Sequence, residues 1–319
     1  MYDKQGPQRL TNSDDIVLIA GLTKINLTGS IHVPLFFPII ARNRRALKRL
    51  FYIKNDSAGD MTQSVLSLEI GDRHFGFAIT DETGTILHLL AYYTAEEMDT
   101  DSLSSIYADN YELGRPFYTV QVSYDHAKNV LVPMQHFNAD ASQTILDTVH
   151  GKNGQSSVIS EAVNEWQLYN VYAVPANVKE WVNRKFPAAV YRHHFTLGIK
   201  SIPAGPADRL LVDIHTDEFS LIAIKDNKLL IAQTHSYSSP EDICYYLLKT
   251  CHQFSLSQEQ VQLTVSGLIE KESQLYRELY QFFVNVEFRE PTWTMPVTEE
   301  HEYPAHFFTS LNDLARCAS

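Results

Sequence analysis

Two stretches of the chain share one pattern of alternating apolar and polar positions. Residues 66–93 read LSLEIGDRHFGFAITDETGTILHLLAYY, and residues 210–237 read LLVDIHTDEFSLIAIKDNKLLIAQTHSY. Each stretch contains three short apolar runs with a period of two residues, separated by polar turns, which is typical of consecutive antiparallel strands. The pattern therefore predicts two β-meanders of three strands each.

The two predicted meanders align with each other without a gap. When Asp213 is placed on Glu69, Phe219 falls on Phe75, and the residues between them match in number. Because each meander opens a block of similar length, the alignment predicts an internal duplication. We expect a two-domain α/β protein in which each domain begins with a meander.

The order of the later elements supports the same division of the chain. From residue 210 onward, the apolar periods and turn signals predict the order βββαβαβα. In the first block, the run 188–199 reads as a strand. The proline- and glycine-containing segment 203–207 is the best candidate for a linker. We therefore expect domains near 61–205 and 206–319.

Residues 1–60 differ from the rest of the chain because they show no sustained helical or strand period. An apolar run at 35–41 precedes the basic residues of 42–49, whereas a signal peptide has its basic residues first. Two interpretations are open. The segment is either an N-terminal extension without a packed core, or a start-site artefact in a chain whose translation begins at Met61.

Composition and charge restrict the possible partners. The chain has 319 residues, of which 44% are hydrophobic, and a formal net charge of −12. An acidic protein is poorly suited to binding nucleic acid or an anionic membrane surface. No apolar run approaches the roughly 20 residues that a membrane-spanning helix needs. The three cysteines, Cys244, Cys251 and Cys317, have no metal-ligand spacing, so a reducing cytoplasm is the expected compartment.

The order of elements resembles a half-unit of the actin-like ATPase superfamily, which has a ribonuclease H-like fold. Asp213-Ile214, the helix that contains DICYYLL and the segment LTVSGLIEK are similar to those of the bacterial pilus-assembly and cell-division members. The chain is more closely similar to an uncharacterised bacterial domain-of-unknown-function family with this fold. The resemblance covers about 61–319 and implies a duplicated actin-like fold with a cleft between the two domains.

The resemblance also implies where ATP and Mg²⁺ would bind. In the superfamily, the first turn of each meander carries an acid that holds Mg²⁺ through water, together with small residues that let backbone N–H groups approach phosphates. The positions of this chain that match are Glu69, Gly71, Asp72, Asp213, Thr216 and Gly267.

Several residues depart from the superfamily pattern at these positions. Arg73 and His74 replace small hydroxyl residues in the first turn, and His215 stands where a glycine is expected in the second. Ser266-Gly267 offers one glycine where the adenosine-binding turn usually has two. A side chain at position 215 would crowd a phosphate that approaches the backbone. The pattern therefore predicts a vestigial nucleotide site without catalytic residues or a resident metal ion.

Two functions remain open at this point. The first is a degenerate actin-like protein that serves as a scaffold or interaction module for a protein partner and binds nucleotide weakly or not at all. The second is a Mg-ATP-dependent ATPase or small-molecule kinase in which Glu69, Asp72 and Asp213 manage Mg²⁺. The fold alone cannot choose between them, because function depends on the site.

Two other features have both a functional and a structural interpretation. Tyr92-Tyr93, Tyr245-Tyr246 and the segment 291–296 could form a surface for protein contact, or could be core residues and an ordinary loop that covers a helix. The adjacent pair His193-His194 suggests a metal site. However, neighbouring residues of a strand point to opposite faces, which favours a structural role.

Overall fold

The structure is a computed structural model that describes residues 47–55, 63–152, 154–202, 205, 207–293 and 303–317. Its strands are β1 (Lys48–Lys54), β2 (Val65–Gly71), β3 (His74–Thr80), β4 (Leu87–Thr94), β5 (Thr119–Asp125), β6 (Asn129–Pro133), β7 (Ser156–Val163), β8 (Leu168–Pro175), β9 (Val190–His193), β10 (Arg209–Ile214), β11 (Glu218–Lys225), β12 (Lys228–Ser236), β13 (Gln262–Gly267) and β14 (Asn285–Phe288). Its helices are α1 (Thr100–Asp109), α2 (Ser142–His150), α3 (Ala176–Lys185), α4 (His194–Lys200), α5 (Pro240–Phe254), α6 (Gln274–Phe282) and α7 (Thr309–Arg316).

Both predicted meanders are present, and their pairing registers correspond. Strands β2, β3 and β4 form the first meander, and β10, β11 and β12 form the second. Ile70 pairs with Phe75 across the first turn, and Ile214 pairs with Phe219 across the second. The sequence alignment of the two stretches therefore corresponds to equivalent positions in two sheets, which confirms the predicted duplication.

Each meander is extended by parallel strands into a larger sheet. The first sheet has the order β1-β4-β3-β2-β5-β9, and the second has the order β12-β11-β10-β13-β14. β5 runs parallel to β2, and β13 runs parallel to β10. A third sheet, β6-β8-β7, is inserted in the chain between β5 and α3. We call residues 48–200 the first half and residues 209–316 the second half.

Two short helices connect the halves at their boundary. α4 follows β9 in the first half and packs against β11 of the second, while α7 follows β14 in the second half and packs against β2, β3 and β5 of the first. One hydrophobic cluster joins residues of both halves, including Tyr92 with Phe308 and Leu311. Another joins Phe195 to Ile222. The halves therefore share apolar core in addition to their own cores.

The expectation of a strand over 188–199 is wrong in its second part. β9 ends at His193, and α4 begins at His194. The His193 side chain accepts a hydrogen bond from the backbone N–H of Phe195, with 3.1 Å between Nδ1 and N, and so caps the helix. Most residues of α4 are buried, so the helix lacks the polar stripe by which a surface helix is recognised.

The expectation that residues 1–60 lack a packed core is wrong for residues 48–54. These residues form β1, which pairs antiparallel with β4 at the edge of the first sheet. Ile53 is 2% exposed and belongs to the hydrophobic cluster shared by the two halves. A chain that began at Met61 would lack this strand.

The other predictions about segment boundaries are not tested. Residues 1–46 and 56–62, and three of the five residues of the proposed linker 203–207, lie outside the described residues. The domain bounds near 61–205 and 206–319 stay predictions. In the described part of the chain, no helix has both the length and the apolar character that a membrane span requires.

The candidate contact aromatics have different environments. Tyr92 and Tyr93 are buried in the first half, and Trp293 is buried in the cluster shared by the halves. Tyr245 is 58% exposed on α5. Residues 294–296 lie outside the described part of the chain. Tyr245 is thus the member of this set that is available at the surface.

Candidate functional site

The first turns of the two meanders meet at the boundary between the halves. The β2–β3 turn contains Asp72 and Arg73, and the β10–β11 turn contains His215, Thr216 and Asp217. The guanidinium of Arg73 forms an ion pair with the carboxylate of Asp217. The two turns that the resemblance assigns to phosphate binding are therefore joined to each other directly.

An imidazole ring occupies the space beside the glycine of the first turn. A Cβ atom built on Gly71 would lie 2.2 Å from Cε1 of His74, so the ring packs directly against the glycine. The His74 ring is stacked on that of His215, with centroids 4.0 Å apart and planes at 9°. It is also nearly parallel to the Tyr92 ring at 5.8 Å. Aromatic side chains of both halves thus fill the region between the turns.

Three carboxylates surround His74. Its Nε2 lies 3.5 Å from Oε1 of Glu69 and 3.5 Å from Oδ2 of Asp125. Its Nδ1 lies 3.7 Å from Oε1 of Glu218, which comes from the second half. His74 therefore lies among acids from β2, β5 and β11, although it is buried.

His215 connects the same group of acids to the first half. Its Nε2 lies 3.0 Å from Oδ2 of Asp125 and 3.8 Å from Oδ2 of Asp213. Its Nδ1 lies 3.0 Å from the hydroxyl of Tyr92, a hydrogen-bond distance. The ring orientation of His215 is therefore fixed by a residue of the opposite half.

A third histidine approaches from α4. His194 has its Nε2 3.8 Å from Oδ2 of Asp213 and its Nδ1 3.9 Å from Oδ2 of Asp125. The Ser266 hydroxyl donates a hydrogen bond of 2.7 Å to Oδ1 of Asp213. These contacts complete a buried group that we call the histidine–carboxylate cluster. Its members are Glu69, His74, Asp125, His194, Asp213, His215 and Glu218.

The proximity of charged groups in the cluster shifts the pKa values of His74, Asp125 and Glu69. Burial by itself lowers the pKa of His74, but the Glu218 and Glu69 carboxylates raise it well above its usual value. Burial raises the pKa of Asp125, but His194 and His215 more than offset this and hold it well below its usual value. Burial also raises the pKa of Glu69, but the neighbouring His74 imidazole more than offsets this effect and holds the pKa below its usual value. The imidazoles therefore keep the Glu69 and Asp125 carboxylates in their charged form.

A pocket with both polar and apolar lining residues adjoins the cluster between α4, α7 and the second sheet. Its volume is about 430 Å³, counting the open mouth. His194 and Asp213 line the pocket and also belong to the cluster. Farther along the wall, Arg289 and Asp313 form an ion pair. The pocket thus brings the surface close to two members of an otherwise buried group.

Four of the six residues predicted for the vestigial site lie in or next to the cluster. Glu69 and Asp213 are members, Gly71 packs against His74, and Gly267 packs against the backbone of Ile214.

The other two predicted residues point elsewhere. Asp72 has a side chain that is 48% exposed and lies 2.7 Å from Nδ1 of His126. Thr216 is exposed in the second turn. Nucleotide and Mg²⁺ binding at these positions stays a prediction.

Four residues in or around the cluster were not predicted to belong to this site, although two of them, His194 and Tyr92, were considered for other roles. Asp125, His194, Glu218 and Tyr92 come from β5, α4, β11 and β4, which are far apart in the chain. Asp125 carried one available signal, because it directly follows an alternating strand, at the edge where parallel strands end. The pair His193-His194 lies at the junction of β9 and α4, and His194 is the member that reaches the acids.

Comparisons with known proteins identify the fold. A crystal structure of a Bacteroides thetaiotaomicron protein with an actin-like ATPase fold and unknown function matches with a TM-score of 0.64 at 18% identity, covering 73% of this chain and 94% of that chain. A structure of the PilM–PilN type IV pilus biogenesis complex matches with a TM-score of 0.60 at 14% identity, covering 81% of this chain and 99% of that chain. The chain therefore has the actin-like ATPase fold.

The family assignment follows from the sequence match. No curated protein matches the chain. A family model described as a protein of unknown function, DUF3822, matches residues 54–286. Because this match spans well over half of the chain, the protein belongs to the DUF3822 family.

Proposed function

We propose that this protein is a degenerate actin-like protein that acts as a non-catalytic scaffold or interaction module and binds nucleotide weakly or not at all. The observation that carries the proposal is the position of His74. Its ring packs against Gly71 and stacks on His215, in the space where the resemblance implies that phosphates would approach the two turns. A phosphate could enter only if this buried ring moved.

The ion pair between the turns supports the same proposal. Arg73 and Asp217 connect the two loops that would have to separate to admit a triphosphate. In addition, Gly267 is packed against the backbone of Ile214, where it serves the packing of the chain. The acids Glu69 and Asp213 are likewise engaged by protein groups, His74 and Ser266. Little of the implied machinery is left available to a nucleotide.

A protein partner is the ligand that we propose for this scaffold. The PilM–PilN structure is a complex of a similarly folded protein with another protein, although the likeness extends to the fold alone. The net charge of −12 disfavours nucleic acid and anionic membrane surfaces as partners. We propose a cytoplasmic location and retain the division into domains near 61–205 and 206–319.

A thermal-shift measurement with Mg-ATP tests the proposal. A ligand at about 100 times its dissociation constant adds roughly 2.7 kcal/mol of stability, and each kcal/mol raises the melting temperature of a chain of this size by about 2–4 °C. A site with a dissociation constant of about 10 μM, assayed at about 1 mM Mg-ATP, would therefore give a shift of roughly 5–10 °C. We expect less than about 2 °C, because His74 and the Arg73–Asp217 pair fill the site.

The alternative, a Mg-ATP-dependent ATPase or small-molecule kinase, predicts the larger shift. Arg73 is the residue through which such activity could survive, because a guanidinium can bind phosphate without backbone donors. A full shift that is lost in Arg73→Ala but retained in Arg115→Ala, an exposed control arginine outside the turns, would reject the scaffold proposal. It would show that the site binds nucleotide through a rebuilt phosphate contact.

A further inference from the structure

The histidine–carboxylate cluster concentrates negative charge in the interior of the protein. It contains four carboxylates and three imidazoles, and its members come from both halves. Among the described residues, no lysine or arginine side chain forms an ion pair with any of the seven. Buried carboxylates without a cation are costly. Protons on the imidazoles or a bound metal ion can supply the missing positive charge.

Three members of the cluster converge in the manner of metal ligands. Glu69, His74 and His215 each offer one ligand atom, and these three atoms lie within 4.8 Å of one another. Around a tetrahedral ion with ligand bonds of about 2.0–2.2 Å, neighbouring donors are about 3.3–3.6 Å apart. The 3.5 Å between Nε2 of His74 and Oε1 of Glu69 already has this value. One edge of the proposed coordination sphere is therefore preformed.

Several buried polar atoms of the cluster also lack a hydrogen-bond partner among the described residues. Buried polar atoms are normally hydrogen-bonded, so a group of unsatisfied atoms at one place needs a physical explanation. The cluster atoms without a hydrogen bond to any described residue are Oε2 of Glu69, Nδ1 and Nε2 of His74, Oδ1 of Asp125 and Nε2 of His215. The last of these lies 3.0 Å from Oδ2 of Asp125, but without the alignment of a hydrogen bond.

A residue outside the cluster orients one of the imidazoles. Metal-binding histidines usually donate their second ring N–H to an oxygen atom, which leaves the other nitrogen free for the ion. Nδ1 of His215 is 3.0 Å from the Tyr92 hydroxyl, which is such an oxygen. With Nδ1 bonded to Tyr92, the other ring nitrogen of His215, Nε2, faces the carboxylates and can coordinate a metal ion. Tyr92 is therefore a positioning residue in this arrangement.

We propose that Glu69, His74 and His215 bind a divalent transition-metal ion of the Zn²⁺ type, with Asp125 beside them as a further carboxylate donor. Two imidazoles with one or two carboxylates form a donor set that zinc accepts. The ion would join the halves, because Glu69, His74 and Asp125 come from the first and His215 from the second. The proposed metal site shares Glu69 with the vestigial nucleotide site and His74 with the proposed function, but its test uses the metal ion alone, without nucleotide.

Because the two rings are stacked, one of them must move before both can bind the same ion. The His74 and His215 planes are nearly parallel at 4.0 Å, whereas donors to one ion must point toward a common centre. His215 is held by Tyr92, but neither nitrogen of His74 has a hydrogen bond to a described residue. We therefore expect the ring of His74 to tilt while that of His215 stays in place.

The adjoining pocket provides a path for the ion. A credible metal site needs a route of entry as well as donors. His194 and Asp213 line the pocket, and each has a cluster neighbour within 4 Å on its inner side. An ion in the pocket would therefore meet a carboxylate and an imidazole before it reached His215. This chain of polar groups connects the pocket to the proposed donors.

The test uses the full chain without an affinity tag, stripped of metal by a chelator, and ZnCl₂ or CoCl₂ alone. We expect one ion per chain by titration calorimetry and a visible Co²⁺ spectrum of the nitrogen- and oxygen-bound type. With free Zn²⁺ at about 100 times the dissociation constant, the melting temperature should rise by roughly 5–10 °C. Absence of stoichiometric binding at micromolar ion would overturn the proposal and assign the cluster's positive charge to protons.

Matched variants identify the donors. Glu69→Gln and His215→Gln should each weaken Zn²⁺ binding by more than about tenfold, and Tyr92→Phe, which alters no donor, by about 10- to 100-fold. His88→Gln is the control, because His88 is also buried with unbonded ring nitrogens but lies outside the cluster. Circular dichroism of the metal-free variants checks their folding. Binding that survives Glu69→Gln and His215→Gln, or that His88→Gln weakens equally, would place the ion elsewhere.

Discussion

Gly267 and Gly151 both have a positive φ angle but have very different surroundings. Their φ angles are +80° and +76°, in the region that side chains disfavour. A Cβ on Gly267 would lie 2.2 Å from the carbonyl oxygen of Ile214, whereas a Cβ on Gly151 would have no neighbour within 4 Å. The pair therefore compares a positive φ in open space with a positive φ under close packing at the end of β13.

We expect Gly267→Ala to destabilise the protein much more than Gly151→Ala. At Gly151, φ is +76° and ψ is 166°, a conformation that costs a residue with a Cβ about 1–3 kcal/mol. At Gly267 the backbone of β10 would also have to move, so the loss should exceed about 3 kcal/mol. Urea unfolding of both variants measures the difference. Equal losses would contradict the close packing of Gly267 against Ile214.

At the level of single residues, the sequence predicted some members of the candidate site but not their interactions with one another. Glu69 and Asp213 could be found because they occupy equivalent positions in a repeated pattern. Asp125 carried only the signal of its position at the end of a strand, and Glu218 carried none. Their proximity across β5 and β11 depends on how the halves pack, which no local period encodes. His74 and His215 were recognised as obstacles to phosphate. Their contacts with acids became evident only from the three-dimensional arrangement.

Among the elements, β1 gives the clearest test of a corrected boundary. Its backbone pairs with β4, and Ile53 is buried in the shared hydrophobic cluster. Fully burying an isoleucine side chain contributes about 1.5–3 kcal/mol, so loss of the strand should cost at least about 2 kcal/mol. We therefore expect a chain that begins at residue 61 to melt at least about 4 °C below one that begins at residue 47.

Differential scanning fluorimetry of the two truncated chains measures this difference directly. The chain that begins at residue 47 is the matched control, because it lacks the same first 46 residues but keeps β1. Ile53→Ala in the full chain isolates the side-chain contribution, which we expect to be smaller than that of the whole strand because the β1–β4 pairing is retained. Identical melting of the two truncated chains would restore the original boundary at Met61.

The two elements whose prediction failed both lack a contrast between an apolar face and a polar face. β1 occupies a sheet edge, and most of its residues are partly or fully exposed, so it lacks the alternation by which the meander strands were found. α4 has the opposite problem, because burial on most sides removes the polar face that marks a helix. By contrast, the meander strands and α5 combined strong periods with clear turn or capping residues. Those elements were predicted correctly.

For the whole molecule, the duplication was readable from the sequence, but the association of the halves was not. Matching registers in β2–β3 and β10–β11 follow from the repeated sequence pattern. The exchange of α4 and α7 across the boundary has no equivalent signal, because a helix period does not show which sheet the helix will cover. For the same reason, no sequence pattern indicated that β6, β7 and β8 form a sheet of their own.

The exchange of α4 and α7 has a consequence for how the protein loses its structure. Each half contributes a helix to the other, and Tyr92 and Phe195 belong to apolar clusters with members from both. If one half unfolded first, the remaining half would expose the apolar surface of the shared clusters that the unfolded half had covered. We therefore expect the part of the chain from residue 47 to residue 317 to unfold in a single calorimetric transition. Its van't Hoff and calorimetric enthalpies should be equal. Two separate heat-absorption peaks would contradict this expectation, and the structure predicts that the duplicated halves melt as one thermodynamic unit.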